Sequence, residues 1–177
     1  MNYFEDLIYL FSSNRASRGI VRLNIAEGAL LYKYAKKKHD DIIVEIGRDK
    51  GGSTVILASC LTNGKIYSID KKLHSEVKDN IKPYKDKIKL ITSRSQDVKW
   101  KLPIGLLFID GSHTENGVKK DIKKYVPFVK NDGYVVFHDA RGTKHAIGRV
   151  VRQILLNKGW VKESIIDSMM VIRRSII

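Results

Sequence analysis

The sequence predicts an α/β fold, an open, doubly wound three-layer sandwich in which helices cover both faces of a mostly parallel sheet. Short apolar runs alternate with helical stretches along the whole chain. The run Leu102 to Asp110 (LPIGLLFID) lacks polar alternation, as expected of a strand buried on both faces. There are only three prolines, and no repeat or low-complexity segment divides the chain, so residues 1–177 read as a single domain.

Residues before about Asp40 read as one or two helices, expected to form a substrate lid over a core of residues 41–177. Asp41 to Ile46 is the first strand, and the apolar helix Ser53 to Leu61 follows, stopped by Asn63 and Gly64. Lys65 to Asp70 (KIYSID) is the second strand. A lysine-rich helix is then expected up to Tyr84, ended with the help of Pro83, before a third strand at Lys87 to Thr92. After the fourth strand, Ser112 and Glu115 stand at capping-box spacing, and Val118, Ile122, Tyr125, Val126 and Val129 recur at helical intervals. Gly133 to His138 (GYVVFH) is the fifth strand. Thr143 to Lys158 presents Ala146, Ile147, Val150, Val151, Ile154 and Leu155 on one face and stops at Gly159. The tail reads as two strands joined at Asp167 and Ser168, an antiparallel end to the sheet.

Composition excludes several classes. With 43% hydrophobic and 29% charged residues the chain is neither disordered nor fibrous. Its apolar runs are too short to span a bilayer and its start lacks a signal-peptide pattern, so no membrane association is expected. The single cysteine, Cys60, points to a reducing, cytoplasmic setting. Lys and Arg number 33 against 19 Asp and Glu, a net charge of +14. Such a charge suits a nucleic-acid partner, but lysines 119, 120, 123 and 124 also read as a solvated helix face, so this partner is not favoured. A homo-oligomer is compatible with the sequence.

In a doubly wound sheet, ligands bind beyond the carboxyl ends of the strands, where the strand order reverses. Past the first strand stands Glu45-Ile46-Gly47-Arg48-Asp49-Lys50-Gly51-Gly52-Ser53, whose glycines suit a sharp turn and a close ligand, or simply helix packing. Asp49 breaks a dinucleotide fingerprint, and no G-K-[ST] makes it a P-loop. Asp70, about twenty residues on, can accept from the vicinal hydroxyls of a ribose or merely open a loop. Asp110 ends the fourth strand, and His138 and Asp139 end the fifth. If those strands are neighbours, three ligands for Mg²⁺ or Mn²⁺ converge, and His113 at the same rim is a candidate base. Arg48, Lys50, Arg141 and Lys144 are expected around the mouth, which suits an anionic acceptor.

Taken together, EIGRDKGGST, YSID, LLFIDGSHTENGVKKDIKKYVPFVKNDGYVVFHDA and the closing hairpin resemble the class I S-adenosylmethionine-dependent methyltransferases. The nearest likeness is to small-molecule O-methyltransferases of the macrocin and catechol type and to cephalosporin-hydroxylase-like proteins, over about Asn24 to the C-terminus and most strongly at residues 42–58 and 104–140. The resemblance implies a Rossmann-like, seven-stranded sheet with an antiparallel terminal strand. It also implies that Glu45, Gly47, Gly51, Gly52 and Ser53 wrap the methionine part of S-adenosylmethionine, that Asp70 binds its ribose, and that Ser95 and Gln96 lie near its adenine. Asp110 borders the cofactor and is a catalytic position, and Asp110, His138 and Asp139 match the metal positions of metal-dependent members.

The expected activity is methyl transfer to a hydroxyl oxygen of a small molecule or glycoside, assisted by a divalent metal in that branch, with His113 or a lysine taking the proton. Two alternatives stand beside it: an RNA methyltransferase using the basic surface, and a non-catalytic S-adenosylmethionine-binding protein.

Overall fold

The computed structural model describes residues 3–11, 19–141, 146–155 and 159–175. A 3₁₀ turn at Phe4–Phe11 precedes α1 (Ile25–Lys36). Asn24 starts α1 with a full capping box: its side chain accepts from the Glu27 amide at 2.9 Å while the Glu27 carboxylate accepts from the Asn24 amide at 3.1 Å.

Strands β1 (Ile42–Ile46), β2 (Lys65–Asp70), β3 (Ile88–Thr92), β4 (Ile104–Ile109), β5 (Val129–Phe137), β6 (Trp160–Ile166) and β7 (Met169–Arg174) form one sheet in the order β3-β2-β1-β4-β5-β7-β6. The first five run parallel, and β7 is antiparallel to both β5 and β6. The seven-stranded sheet agrees with the sequence reading. The hairpin folds back so that its second strand, not its first, joins β5. Strand β7 is the more apolar of the two, and Met169, Met170, Val171 and Ile172 are all buried there.

Helices α1 and α2 (Gly52–Cys60) pack one sheet face, while α4 (Glu115–Tyr125) and α5 (Ala146–Leu155) pack the other. Helix α2 is buried nearly all round, which explains why it has no polar face in sequence. Every β4 residue is buried, as its unbroken apolar run requires.

Three element expectations are corrected. The lysine-rich helix is only the four-residue α3 (Val77–Asn80) followed by a 3₁₀ turn at Lys82–Lys87, and Pro83 opens that turn instead of ending a helix. Helix α4 is capped by Thr114, whose hydroxyl accepts from the Gly117 amide at 3.2 Å; Ser112 meets the hydroxyl and amide of Thr114 and no helix amide. Strand β5 begins at Val129, because Pro127 breaks the helical period and a register shift opposite Gly105 lets the chain enter the sheet early. The expected helix ends at Thr143 and Lys158 lie outside the described residues, as does Lys144. Among the described residues no helix is long and apolar enough to cross a membrane.

Candidate active site

The order reverses between β1 and β4, and a cavity of about 980 Å³ opens over the carboxyl ends of the strands there. Of the sequence-predicted residues, Gly47, Gly52, Ser53, Asp70, Ser95, Gln96, Asp110, His113 and His138 all line it. Gly47 makes the turn: its φ is +94°, and a Cβ there would run into the carbonyl of Asp110. That close approach docks the end of β1 on the end of β4. Helix α2 then starts at Gly51, which provides no side-chain cap, so its first amides stay open beside the cavity.

Asp70 sits at the end of β2 with its oxygens turned to the loop. Oδ2 accepts from the amides of Arg48 (2.9 Å) and Asp49 (3.0 Å), and Oδ1 accepts from the Lys72 amide (2.9 Å). Burial works against its charge, but these amides hold the carboxyl below the usual carboxylate range. Oδ2 is thereby filled, and Oδ1 keeps a further lone pair for a ligand.

Two predicted cofactor residues do not reach the cavity wall. Gly51 faces Val77 and Ile81. Glu45 is fully buried and takes hydroxyl donors from Ser53 (2.5 Å), Thr54 (2.5 Å) and Ser68 (2.6 Å), and burial pushes its carboxyl above the usual range. Two of the expected mouth cations are corrected as well, while Arg141 lines a cavity beside His138 and Asp139. Arg48 is only 1% exposed and donates inward to the carbonyls of Ser68 (2.8 Å) and Lys72 (2.9 Å), while Lys50 pairs with Glu76 at 3.4 Å.

Strands β4 and β5 are neighbours, and their ends bring a polar cluster together. Asp139 has φ +54°, a left-handed turn that swings its carboxylate back across the strand ends. Its Oδ2 lies 2.7 Å from His113 Nδ1, and donor atoms of Asp110, His113 and Asp139 all lie within 4.8 Å of one another. His113 is 66% exposed, its second ring nitrogen free of any partner among the described residues.

His138 occupies the inner side of the cluster. Its Nδ1 is shut off from solvent and makes no aligned hydrogen bond, although Asp110 Oδ1 is 3.2 Å and Asp139 Oδ2 3.5 Å away. Its Nε2 faces Glu27 Oε2 at 3.3 Å and the Ser168 hydroxyl at 3.3 Å. Burial disfavours the charged ring, but Asp110, Asp139 and Glu27 outweigh it and raise its pKa to about 9.

Sequence reasoning missed Glu27, Ser168 and Asp121. Glu27 is 4% exposed and accepts from the Ser168 amide (3.1 Å) and hydroxyl (2.6 Å). Its spacing from Asn24 reveals a cap but not this contact with the last strands. Asp121 is buried, lines the cavity, and accepts from Ser95 Oγ (2.5 Å) and Gln96 Nε2 (2.7 Å). The signal was present: an acid on the Val118, Ile122, Tyr125 stripe of an amphipathic helix needs a partner or a ligand.

A cavity at the switch point of a 3-2-1-4-5-7-6 sheet, floored by a glycine turn and an acid on the next strand, defines a Rossmann-like methyltransferase fold. A family model described as a methyltransferase domain matches residues 44–140, and the chain belongs to that family. The uncharacterized protein R132 of Acanthamoeba polyphaga mimivirus is 30% identical over 117 residues, covering 58% of this chain. The chain thus matches about half, 53%, of that curated relative's length. Among solved structures, the O-methyltransferase NovP superposes with a TM-score of 0.77 at 11% identity, covering 98% of each chain. TomG from Streptomyces achromogenes, an O-methyltransferase solved with SAM, gives 0.71 at 14% identity over 86% of this chain and 81% of its own. At these identities the likeness is one of fold.

Proposed function

We propose that this chain transfers the methyl group of S-adenosylmethionine to a hydroxyl oxygen of a small molecule or glycoside. One observation carries the reading: a single cavity runs from Asp70 past the Gly47 turn to Asp110, His113 and His138, so a donor site and an acid-base cluster share one space. The residues suit the donor. Asp70 Oδ1 has a lone pair for a ribose hydroxyl, the open amides of α2 suit a carboxylate, and Ser95, Gln96 and Asp121 form a polar wall where the adenine would lie. When bound, S-adenosylmethionine supplies an electrophilic methyl on sulfur.

The chain's own work is then alignment and proton removal. Asp139 accepts from His113 Nδ1 and so holds the lone pair at Nε2, where it can take the hydroxyl proton of an acceptor. Glu27 and Ser168 lock His138 at the base of the cluster. Asp110 and Asp139, with a ring nitrogen from His113 or the buried Nδ1 of His138, would hold a divalent ion, since these donor atoms lie close together. The chemistry such an ion supplies when bound is a lower pKa for a neighbouring hydroxyl.

The test is transfer of labelled methyl from S-adenosylmethionine to a panel of hydroxyl-bearing small molecules and glycosides. We expect product with at least one acceptor, and His113→Asn should lower kcat about 10² to 10⁴-fold with donor affinity kept. Donor binding without transfer to any acceptor would contradict the reading and favour a non-catalytic cofactor-binding protein. A second reading rests on a surface cavity of about 560 Å³ lined by Arg94, Gln96, Asp97, Lys120, Lys123 and Lys124, where four cations meet one acid. RNA methylation with steeply salt-dependent RNA affinity would favour that acceptor instead.

A further inference from the structure

We propose that Glu27 orients His138 so that the cluster at the ends of β4 and β5 selects a first-row transition dication over Mg²⁺. This inference deepens the proposed site and rests on the methyltransferase reading only for what the ion does there.

A histidine can offer a lone pair at one ring nitrogen only if its proton resides on the other. Glu27 supplies the partner that fixes this choice. It is 4% exposed and held on its other side by the amide and hydroxyl of Ser168, so its carboxylate cannot turn away. His138 Nε2 lies 3.3 Å from that carboxylate, which can only accept, so a hydrogen on Nε2 is favoured there. Nδ1, closed to water and without an aligned hydrogen bond, is then the nitrogen that can give up its proton to offer a lone pair to an ion.

What Nδ1 faces decides the ligand. Asp110 Oδ1 and Asp139 Oδ2 stand 3.2 and 3.5 Å away. Two donor atoms bound at right angles to one ion at about 2.1 Å are about 3 Å apart, so these spacings are those of donors converging on a shared cation. A ring with two carboxylates at one nitrogen and a third at the other has the arrangement of a metal-ligating histidine with an outer carboxylate partner. Loading exchanges the ring proton that the carboxylates otherwise hold for the ion.

The donor set sets the preference. Mg²⁺ favours oxygen donors and parts with its water reluctantly, whereas imidazole suits Mn²⁺, Fe²⁺, Co²⁺ and Zn²⁺ increasingly along the first row. One imidazole and two carboxylates therefore favour a transition dication. His113, already bonded to Asp139 and mostly exposed, is left for the acceptor side.

The full chain, stripped with a chelator and desalted, is titrated with Mn²⁺ alone, free Mn²⁺ being read from its electron paramagnetic resonance signal. We expect saturable binding of one ion per chain that Mg²⁺ in about a hundred-fold excess does not displace. His138→Asp, which makes the set all oxygen, should let the same Mg²⁺ displace Mn²⁺. Glu27→Gln should weaken Mn²⁺ binding about 10- to 100-fold. Because Glu27 also caps α1, Ser168→Ala is measured beside it and should weaken Mn²⁺ in the same direction with circular dichroism unchanged. Absence of saturable Mn²⁺ binding, equal competition by Mg²⁺ in the unmodified chain, or unchanged affinity in the Ser168→Ala chain would overturn the inference. S-adenosylmethionine titrated into the same samples keeps the two readings apart. Donor binding without Mn²⁺ binding removes only the metal inference, and Mn²⁺ binding without donor binding removes only the methyltransfer reading.

Discussion

Ser68 on β2 donates its hydroxyl to Glu45 on the neighbouring strand β1 at 2.6 Å, deep beneath the glycine turn. With Ser53 and Thr54 donating from α2, the carboxylate becomes a buried clasp joining two strands and a helix. Glu45→Ala leaves three hydroxyls without their acceptor. It should cost about 1–3 kcal/mol of stability in urea denaturation, with donor affinity unchanged in the folded fraction. A large loss of donor affinity at normal stability would return Glu45 to the binding site.

Gly47 carries the docking of β1 on β4. Ala there meets both an unfavourable φ of +94° and the Asp110 carbonyl. Gly47→Ala should cost more than about 1 kcal/mol and reduce donor binding, because the turn must open to admit the methyl. Thermal melting and calorimetry of the variant check the two effects separately.

Asp70 links acid stability to the site. Its folded-state pKa lies below the ordinary value of 3.8, so its contribution is fully present above pH 3.8 and disappears as pH falls through the lower, folded value. Asp70→Asn should therefore be less stable than the unmodified chain at neutral pH, with the gap closing below pH 3.8. A gap that stays constant to strongly acid pH would show that the carboxylate's charge contributes nothing.

Cys60, on the inner face of α2, is 1% exposed, and burial pushes its thiol up to about 12. Its Sγ donates to the Ile56 carbonyl at 3.3 Å. Thiol reagents at pH 8 should leave the folded chain unlabelled and modify it fully in urea. Rapid labelling of the native chain would mean that α2 opens locally.

Much of the fold was legible because buried parallel strands and amphipathic helices carry strong periodic signals, as in β4 and α5. Two features escaped for physical reasons. The Ile104 to Val129 register shift depends on backbone approach across strands, and no local pattern encodes it. The lysine run 71–89 has helical composition, yet too little apolar surface to hold a long helix on the sheet.

Within the site, Asp70, Asp110, His113, His138 and Asp139 were legible as residues just past strand ends. Glu27 was not. Its approach to His138 joins positions 111 residues apart, and only the packing of α1 beside the β6 to β7 turn brings them together. Arg48 read as a mouth cation because charge in sequence carries no direction; two carbonyls turn it inward.

The measurement that bears most directly on the central claim is calorimetric titration of the full chain with S-adenosylmethionine and S-adenosylhomocysteine, with NAD as control. Saturable binding of both sulfur compounds is expected, weakened by about 1–3 kcal/mol in Asp70→Ala, and none of NAD. No binding of either sulfur compound, or equal binding of NAD, would contradict it.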